Sequence, residues 1–249
     1  MSERLTSRSN PLFVHLRKLQ SSRSYRNETR QFCADGVKLL GEAIRWYPGL
    51  HTVIACDGLE LPDLPSSIRL VRVPEGLMQS VSTMRAPQGV IFLCHMPEKK
   101  PLCIAPGSLI LDGIQDPGNL GTILRTADAL GVNAVLSDGC ADPFGEKTVR
   151  ASMGAVLRTQ PQSADTEEIL AYCAENAIDL AVTALSNDAE DLRTAEPGRY
   201  AVVIGSEGQG VRTAFIQNAK KNLVIPMTPR CESLNAAVAA AIVMWEMRR

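Results

Sequence analysis

Residues 108–136 read SLILDGIQDPGNLGTILRTADALGVNAVL. An apolar run at 108–111 gives way to the turn Asp116-Pro117-Gly118-Asn119, then to a helical rhythm with Leu120, Ile123, Leu124, Ala127 and Leu130 on one face. Asn119 is placed to cap the free amides of a helix over 120–130, and Gly131 to stop it. A second apolar run follows at 134–136. Strand, capped helix, strand is the building unit of a parallel sheet.

The same alternation continues toward the carboxyl end. Apolar runs at 179–184, 200–204 and 223–225 predict strands, and amphipathic stretches at 167–176, 211–219 and 234–247 predict helices. The expectation is an α/β domain with an open, mostly parallel sheet. Ligands of such sheets sit beyond the carboxyl ends of the strands, so the loops after Leu111, Ile204 and Ile225 are the candidate sites.

Toward the amino end the pattern changes. Residues 97–107 hold Pro97, Pro101 and Pro106 beside Lys99 and Lys100, which predicts a linker. Before it, helical rhythm at 12–19 and 32–44 and strand-like runs at 51–56, 68–73 and 89–95 predict a smaller α/β domain. The expected division is residues 1–96, a linker at 97–107, and residues 108–249.

Composition narrows the function. The chain has 249 residues, 26 basic and 27 acidic, for a net charge of −1. Residues 1–30 carry seven basic side chains against two acidic ones, a net +5, which leaves −6 on the remainder. A basic patch of this kind is an electrostatic footprint for phosphate backbones, and it equally describes a solvated helix face. Arg4, Arg8, Arg17, Lys18, Arg23 and Arg26 are the candidate contacts to such a backbone. Seven cysteines without a C-x-x-C pair, and three histidines without H-x-x-x-H spacing, predict a reduced protein with no metal centre. No apolar run reaches the roughly 18–20 residues of a bilayer span, so a cytoplasmic location is expected.

Each candidate loop has its own chemistry. In 112–131, Arg125 lies off the apolar face with Asp128 as a possible partner; an ordinary surface arginine fits as well. In VVIGSEGQGV (202–211), Gly205, Gly208 and Gly210 permit close approach of a ligand to backbone. Glu207 would repel a pyrophosphate there, and no G-x-G-x-x-G or G-K-[ST] is present, which disfavours a nicotinamide dehydrogenase and excludes a P-loop. In 225–247, Ser233 is the expected cap of the last helix. Leu234, Val238, Ile242 and Trp245 form the expected core stripe, and Asn235 stands in the first turn without a capping role.

The segments NLGTILRTADALG (119–131), IGSEGQGV (204–211) and IPM…ESLN (225–235) together resemble the three ordered motifs of the SpoU/TrmH family of RNA ribose methyltransferases, within the SPOUT superfamily. VRASMGA (149–155) is similar to the family's middle segment. SRSNPL (7–12) and the stretch ending RAPQGV (85–90) resemble its appended RNA-binding domain, which is itself like a ribosomal protein.

The resemblance implies a parallel sheet whose carboxyl end is threaded into a deep trefoil knot, an exception to the rule of unknotted connections. It implies S-adenosylmethionine as cofactor, bound through Gly205, Ile225 and Leu234, and a homodimer. It also implies methyl transfer to a ribose 2′-hydroxyl with Asn119, Arg125, Glu207, Ser233 and Asn235 forming the polar site. Ribosomal RNA is the favoured substrate because of the appended domain. A transfer-RNA enzyme, a base methyltransferase on a related fold and a non-catalytic RNA-binding relative are the alternatives.

Overall fold

The computed structural model describes all residues except Met1, Ser2, Leu185, Asn187, Asp188, Glu207, Pro229, Cys231 and Glu232. The chain forms two compact units: Met1–Glu98 with Phe144–Arg158, and Lys99–Pro143 with Thr159–Arg249. The break near residue 98 falls in the expected linker. Residues 144–158, by contrast, pack with the amino-terminal unit.

The first unit runs β1 (Glu3–Arg4), α1 (Pro11–Ser21), α2 (Arg23–Thr29), β2 (Gln31–Asp35), α3 (Val37–Trp46), β3 (Leu50–Cys56), β4 (Arg69–Val73), α4 (Glu75–Val81) and β5 (Val90–His95). Its five strands lie in the order β1-β4-β3-β5-β2. β3 is parallel to β4 and antiparallel to β5, and β2 is antiparallel to β5. Phe13, Leu16 and Leu19 of α1 are buried against Cys33, Ile54, Val71 and Leu93 of the sheet.

The expected helix over 32–44 is corrected here, because its first part is β2. Phe32, Cys33, Ala34 and Asp35 are all buried, so the strand shows no polar–apolar alternation, and a short apolar run of that kind reads equally as helix. Gly36, at φ +123°, ends the strand in a conformation few other residues adopt and releases the chain into α3.

The second unit begins with β6 (Leu109–Asp112), α5 (Pro117–Leu130) and β7 (Ala134–Leu136). The chain then enters residues 144–158, with helices α6 (Glu146–Ala151) and α7 (Ala155–Thr159). Within the first unit, Phe144 packs on Phe32 with ring centroids 5.0 Å apart, Thr83 donates to Glu146, and Arg158 pairs with Glu42.

The second unit resumes with β8 (Gln162–Ser163), α8 (Thr166–Glu175), β9 (Leu180–Thr183), β10 (Glu190–Asp191), β11 (Ala201–Gly205), α9 (Thr213–Asn218), β12 (Lys221–Val224) and α10 (Ala236–Met247). Its seven strands, in the order β10-β12-β9-β11-β6-β7-β8, are parallel throughout. The predicted alternation of strand and helix is therefore observed. Strands covered on both faces by helices read as continuous apolar runs, which is why β6, β7, β9 and β11 were visible, while the polar two-residue β8 and β10 were not predicted.

The last connection positions the site. β12 lies two strands from β11 and three from β6, yet α10 packs on α5, the helix that follows β6. α10 therefore begins beside α5, three strands away from the strand it follows.

Candidate active site

α5 starts earlier than the sequence suggested. Asp116 is its cap, with Oδ1 accepting from the Asn119 amide at 2.7 Å, and Pro117 occupies the first turn, where a missing N–H costs nothing. Asn119 therefore does not cap the helix, and its side chain is available for other work.

That work is a contact with the start of α10. Asn235 Nδ2 donates to Asn119 Oδ1 at 3.0 Å, while Asn235 Oδ1 accepts from the amides of Ala237 (3.0 Å) and Val238 (3.3 Å). Asn235, not Ser233, is thus the cap of the last helix. The expected core stripe is corrected as well. Val238 is 49% exposed and Trp245 64%, whereas Ala236, Ala237, Ala240, Val243, Met244 and Met247 are buried. A helix apolar on every side gives no periodicity from which to choose the inward face.

Arg125 sits one and a half turns after Asn119 on the exposed side of α5, with Thr122 between them. Among the described residues no ion pair joins it to Asp128. Its charge faces outward.

The second loop is built on backbone proximity. A side chain at Gly205 would place Cβ 2.1 Å from the Gly210 carbonyl, so only glycine is possible there. The Gly210 amide donates to the Ser206 carbonyl at 2.9 Å, closing the turn. Glu207 lies outside the described residues.

Beside this turn is a charged network that the sequence reading missed. Asp112, at the end of β6 and 1% exposed, accepts from the Arg212 amide at 2.7 Å, and its other oxygen lies 2.8 Å from Arg212 Nη1 without the alignment of a hydrogen bond. Burial raises the Asp112 carboxyl above its usual value, opposed by the amide and guanidinium of Arg212. Arg212 also donates to the Asp138 carbonyl at 2.7 Å and to Thr166 Oγ1 at 3.1 Å. Asp138 is held below its usual value, chiefly by the Thr166 amide. The signal that could have found this network is the charge closing the apolar run LILD.

The third loop forms a cleft. Ile225, Leu234 and Ser233 line a cavity of about 140 Å³ with Thr183, Ala184 and Met227, at the carboxyl ends of β9 and β12. The structure thus brings together two of the three expected cofactor residues. Gly205 closes β11, the strand next to β9. A cavity of this size is below the roughly 300 Å³ of a typical ligand pocket and suits one flat ring.

The six candidate RNA contacts do not form one class. Arg8, Arg17, Lys18 and Arg23 are exposed. Arg4 is exposed but pairs with Asp57 at 2.8 Å. Arg26 is only 6% exposed and donates to the Leu19 carbonyl at 2.5 Å and the Gln20 carbonyl at 3.5 Å, holding the end of α1. It is removed from the exposed basic surface.

Polar side chains at two helix starts and a cleft at the carboxyl ends of parallel strands define an α/β domain of the ligand-binding class. A model of the SpoU rRNA methylase family matches residues 107–245, and a model of the MRM3-like substrate-binding domain matches residues 10–91. The chain belongs to the SpoU rRNA methylase family.

It is 35% identical, over 90% of each chain, to the 23S rRNA (guanosine(2553)-2′-O)-methyltransferase RlmP of Bacillus subtilis (strain 168). It is similar to the AdoMet-bound rRNA methyltransferase of Sinorhizobium meliloti, with a TM-score of 0.86 at 30% identity, covering 100% of this chain and 98% of that one. The SpoU methyltransferase AviRb of Streptomyces viridochromogenes, in complex with AdoMet, matches with a TM-score of 0.82 at 25% identity, covering 96% and 97%.

Proposed function

We propose that the chain transfers the methyl group of S-adenosylmethionine to a ribose 2′-hydroxyl of ribosomal RNA. The observation that carries this reading is the Asn119–Asn235 contact, which joins the first and third family motifs across 116 residues at the edge of the cleft. Gly205, Ile225 and Leu234 would hold the cofactor, whose sulfonium supplies a methyl group already activated for transfer. The apolar lining of the cleft suits the face of an adenine ring.

The remaining task is the acceptor, because a ribose hydroxyl is a weak acid that must lose its proton, here to solvent water, as the new bond forms. A guanidinium is a poor proton acceptor, so Arg125 serves as a clamp on the neighbouring phosphate and a counter-charge to the developing alkoxide, not as the base. Asn119, Asn235 and Ser233 orient the ribose through neutral hydrogen bonds, and Glu207 completes the polar site. Arg212 and Asp112 fix the backbone where the glycine loop leaves β11.

The reading includes the family's knot, supported by the packing of α10 on α5 although β12 lies three strands from β6, and a homodimer, supported by the exposed apolar face of α10. It also includes a cytoplasmic site of action, where ribosomal RNA is assembled. Among the described residues no helix is long and apolar enough to cross a membrane, and no three metal-ligating side chains converge.

The test is incubation with methyl-labelled cofactor and unmodified ribosomal or transfer RNA, followed by nucleoside analysis. A 2′-O-methyl nucleoside from ribosomal RNA is expected. A base-methylated product, or label in transfer RNA alone, would overturn the reading.

A further inference from the structure

The first unit carries an aromatic feature that methyl transfer does not explain. Trp46, the last residue of α3, is 49% exposed, and the Arg45 guanidinium lies 4.9 Å from its ring centroid. The two residues line a cleft of about 390 Å³ with Tyr47, Leu50, Pro65 and Ser67. The volume is within the roughly 300–1,000 Å³ of small-ligand sites. No carboxylate lines it, and Arg45 has no acidic partner among the described residues.

The indole is exposed on a firmly held segment. Tyr47, beside it, is buried and donates its hydroxyl to the His95 carbonyl at 2.8 Å, and the His95 amide donates to the Gly49 carbonyl at 2.8 Å. A side chain at Gly49 would place Cβ 2.7 Å from the Tyr47 ring and 2.8 Å from the His95 carbonyl, so glycine is required for this tight return from α3 to β3. An aromatic ring held out toward water loses the benefit of burial and keeps little conformational entropy, an arrangement suited to a partner that supplies a second flat surface.

We propose that the Trp46–Arg45 cleft is a stacking site for one unpaired base of the RNA substrate, the indole and guanidinium meeting the base and Arg45 also serving the adjacent phosphate. Proteins read single-stranded RNA by stacking splayed bases on aromatic rings and guanidinium planes. The charge matches: a cation and an aromatic face without an acid suit a nucleotide. The inference rests on the RNA-methyltransferase reading and adds where the substrate is gripped.

Trp46 and Trp245 are the two tryptophans of the chain, so subtracting the emission of a Trp46→Phe protein isolates Trp46. Titration with a 12-nucleotide oligoadenylate is expected to quench Trp46 saturably, and a fully paired hairpin of equal length to leave it unchanged. Trp46→Ala is expected to weaken oligoadenylate binding about tenfold, at the lower end of base–aromatic stacking effects, while Trp46→Phe stays within about threefold of wild type. Unchanged Trp46 emission, or a folded Trp46→Ala protein that binds as wild type, would overturn the site. Methyl incorporation into ribosomal RNA by the same preparation keeps the two readings separate. Incorporation without quenching overturns only the base site, and quenching without incorporation overturns only the activity.

Discussion

Asn235 uses both ends of one amide. Its oxygen caps α10 while its nitrogen donates to Asn119 Oδ1 at 3.0 Å. Capping needs only the oxygen, and the link to α5 needs only the nitrogen, so the two roles separate by substitution. Asn235→Asp keeps the cap and loses the donor; its melting temperature is expected to stay near wild type while methyl transfer falls more than tenfold. Asn235→Ala loses both, and removal of a cap costs about 1 kcal/mol, or about 2–4 °C in a unit of this size. Equal activity of Asn235→Asp and wild type would show that the contact is structural only.

Arg125 is exposed and, among the described residues, makes no ion pair with Asp128, so it carries little of the fold. Arg125→Ala is expected to abolish methylation, with cofactor affinity from equilibrium dialysis and thermal stability both within about twofold and 2 °C of wild type, as befits a surface position. Arg125→Lys keeps the charge but loses the planar fork and is expected to restore only part of the rate. A fully active alanine variant would remove Arg125 from the site.

These two residues also mark how far sequence reached. Five of the seven parallel strands were legible because burial gives apolar runs between turns, and their ends came out within about two residues; the two-residue β8 and β10, polar and only partly buried, were missed. β2 was misread for the same reason: burial without alternation, attached to a true helix. The three polar loops were legible as loops. The Asn119–Asn235 contact and the Asp112–Arg212 pair were not, since each joins residues about a hundred or more apart through a crossing connection that periodicity does not encode. Arg26 looked like its basic neighbours because charge is visible in sequence and burial is not. Residues 144–158 gave no compositional sign that they pack with the first unit.

His51 makes the stability of the first unit depend on pH. Burial, with further contributions from His95 and His15, lowers its pKa from 6.5 to about 4, and its Nε2 is buried without a partner. Between those two values the unfolded chain binds the proton and the folded one does not. Stability contributed by neutral His51 is therefore present above about pH 6.5 and lost as pH falls toward 4. Urea midpoints at pH 7 and 4.5 are expected to differ less for His51→Gln than for wild type. An equal pH slope in both proteins would refute the assignment.

The basic residues of the first unit separate into two responses. Replacing exposed Arg8, Arg17, Lys18 and Arg23 with glutamine is expected to reduce the slope of log affinity against log salt by about one for each phosphate no longer neutralised, with stability unchanged. Arg26→Gln is expected to do the opposite, leaving the slope alone and lowering the melting temperature, because two carbonyls at the end of α1 lose their donor. A lowered slope with an unaffected fold in Arg26→Gln would make Arg26 a phosphate contact and not a support of α1.

The outward face of α10 places the homodimer under test. Val238 and Trp245 stand seven residues apart, two turns along one side of the helix, 49% and 64% exposed, while the opposite side is buried on the protein. An apolar strip of this length on a helix start that also carries Asn235 fits a second copy of the same surface, since a two-fold axis brings one patch against itself. Val238→Asp would put two like charges near that axis. Sedimentation equilibrium at micromolar concentration is expected to give a dimer for wild type and a monomer for Val238→Asp, with the monomer's far-ultraviolet dichroism unchanged because Val238 is not part of the core. Methyl transfer is expected to fall with dimer content, since Asn235 lies three residues before Val238 and shares its helix start. A monomeric wild type would assign this face to another partner, and a dimeric Val238→Asp would move the interface elsewhere on the chain.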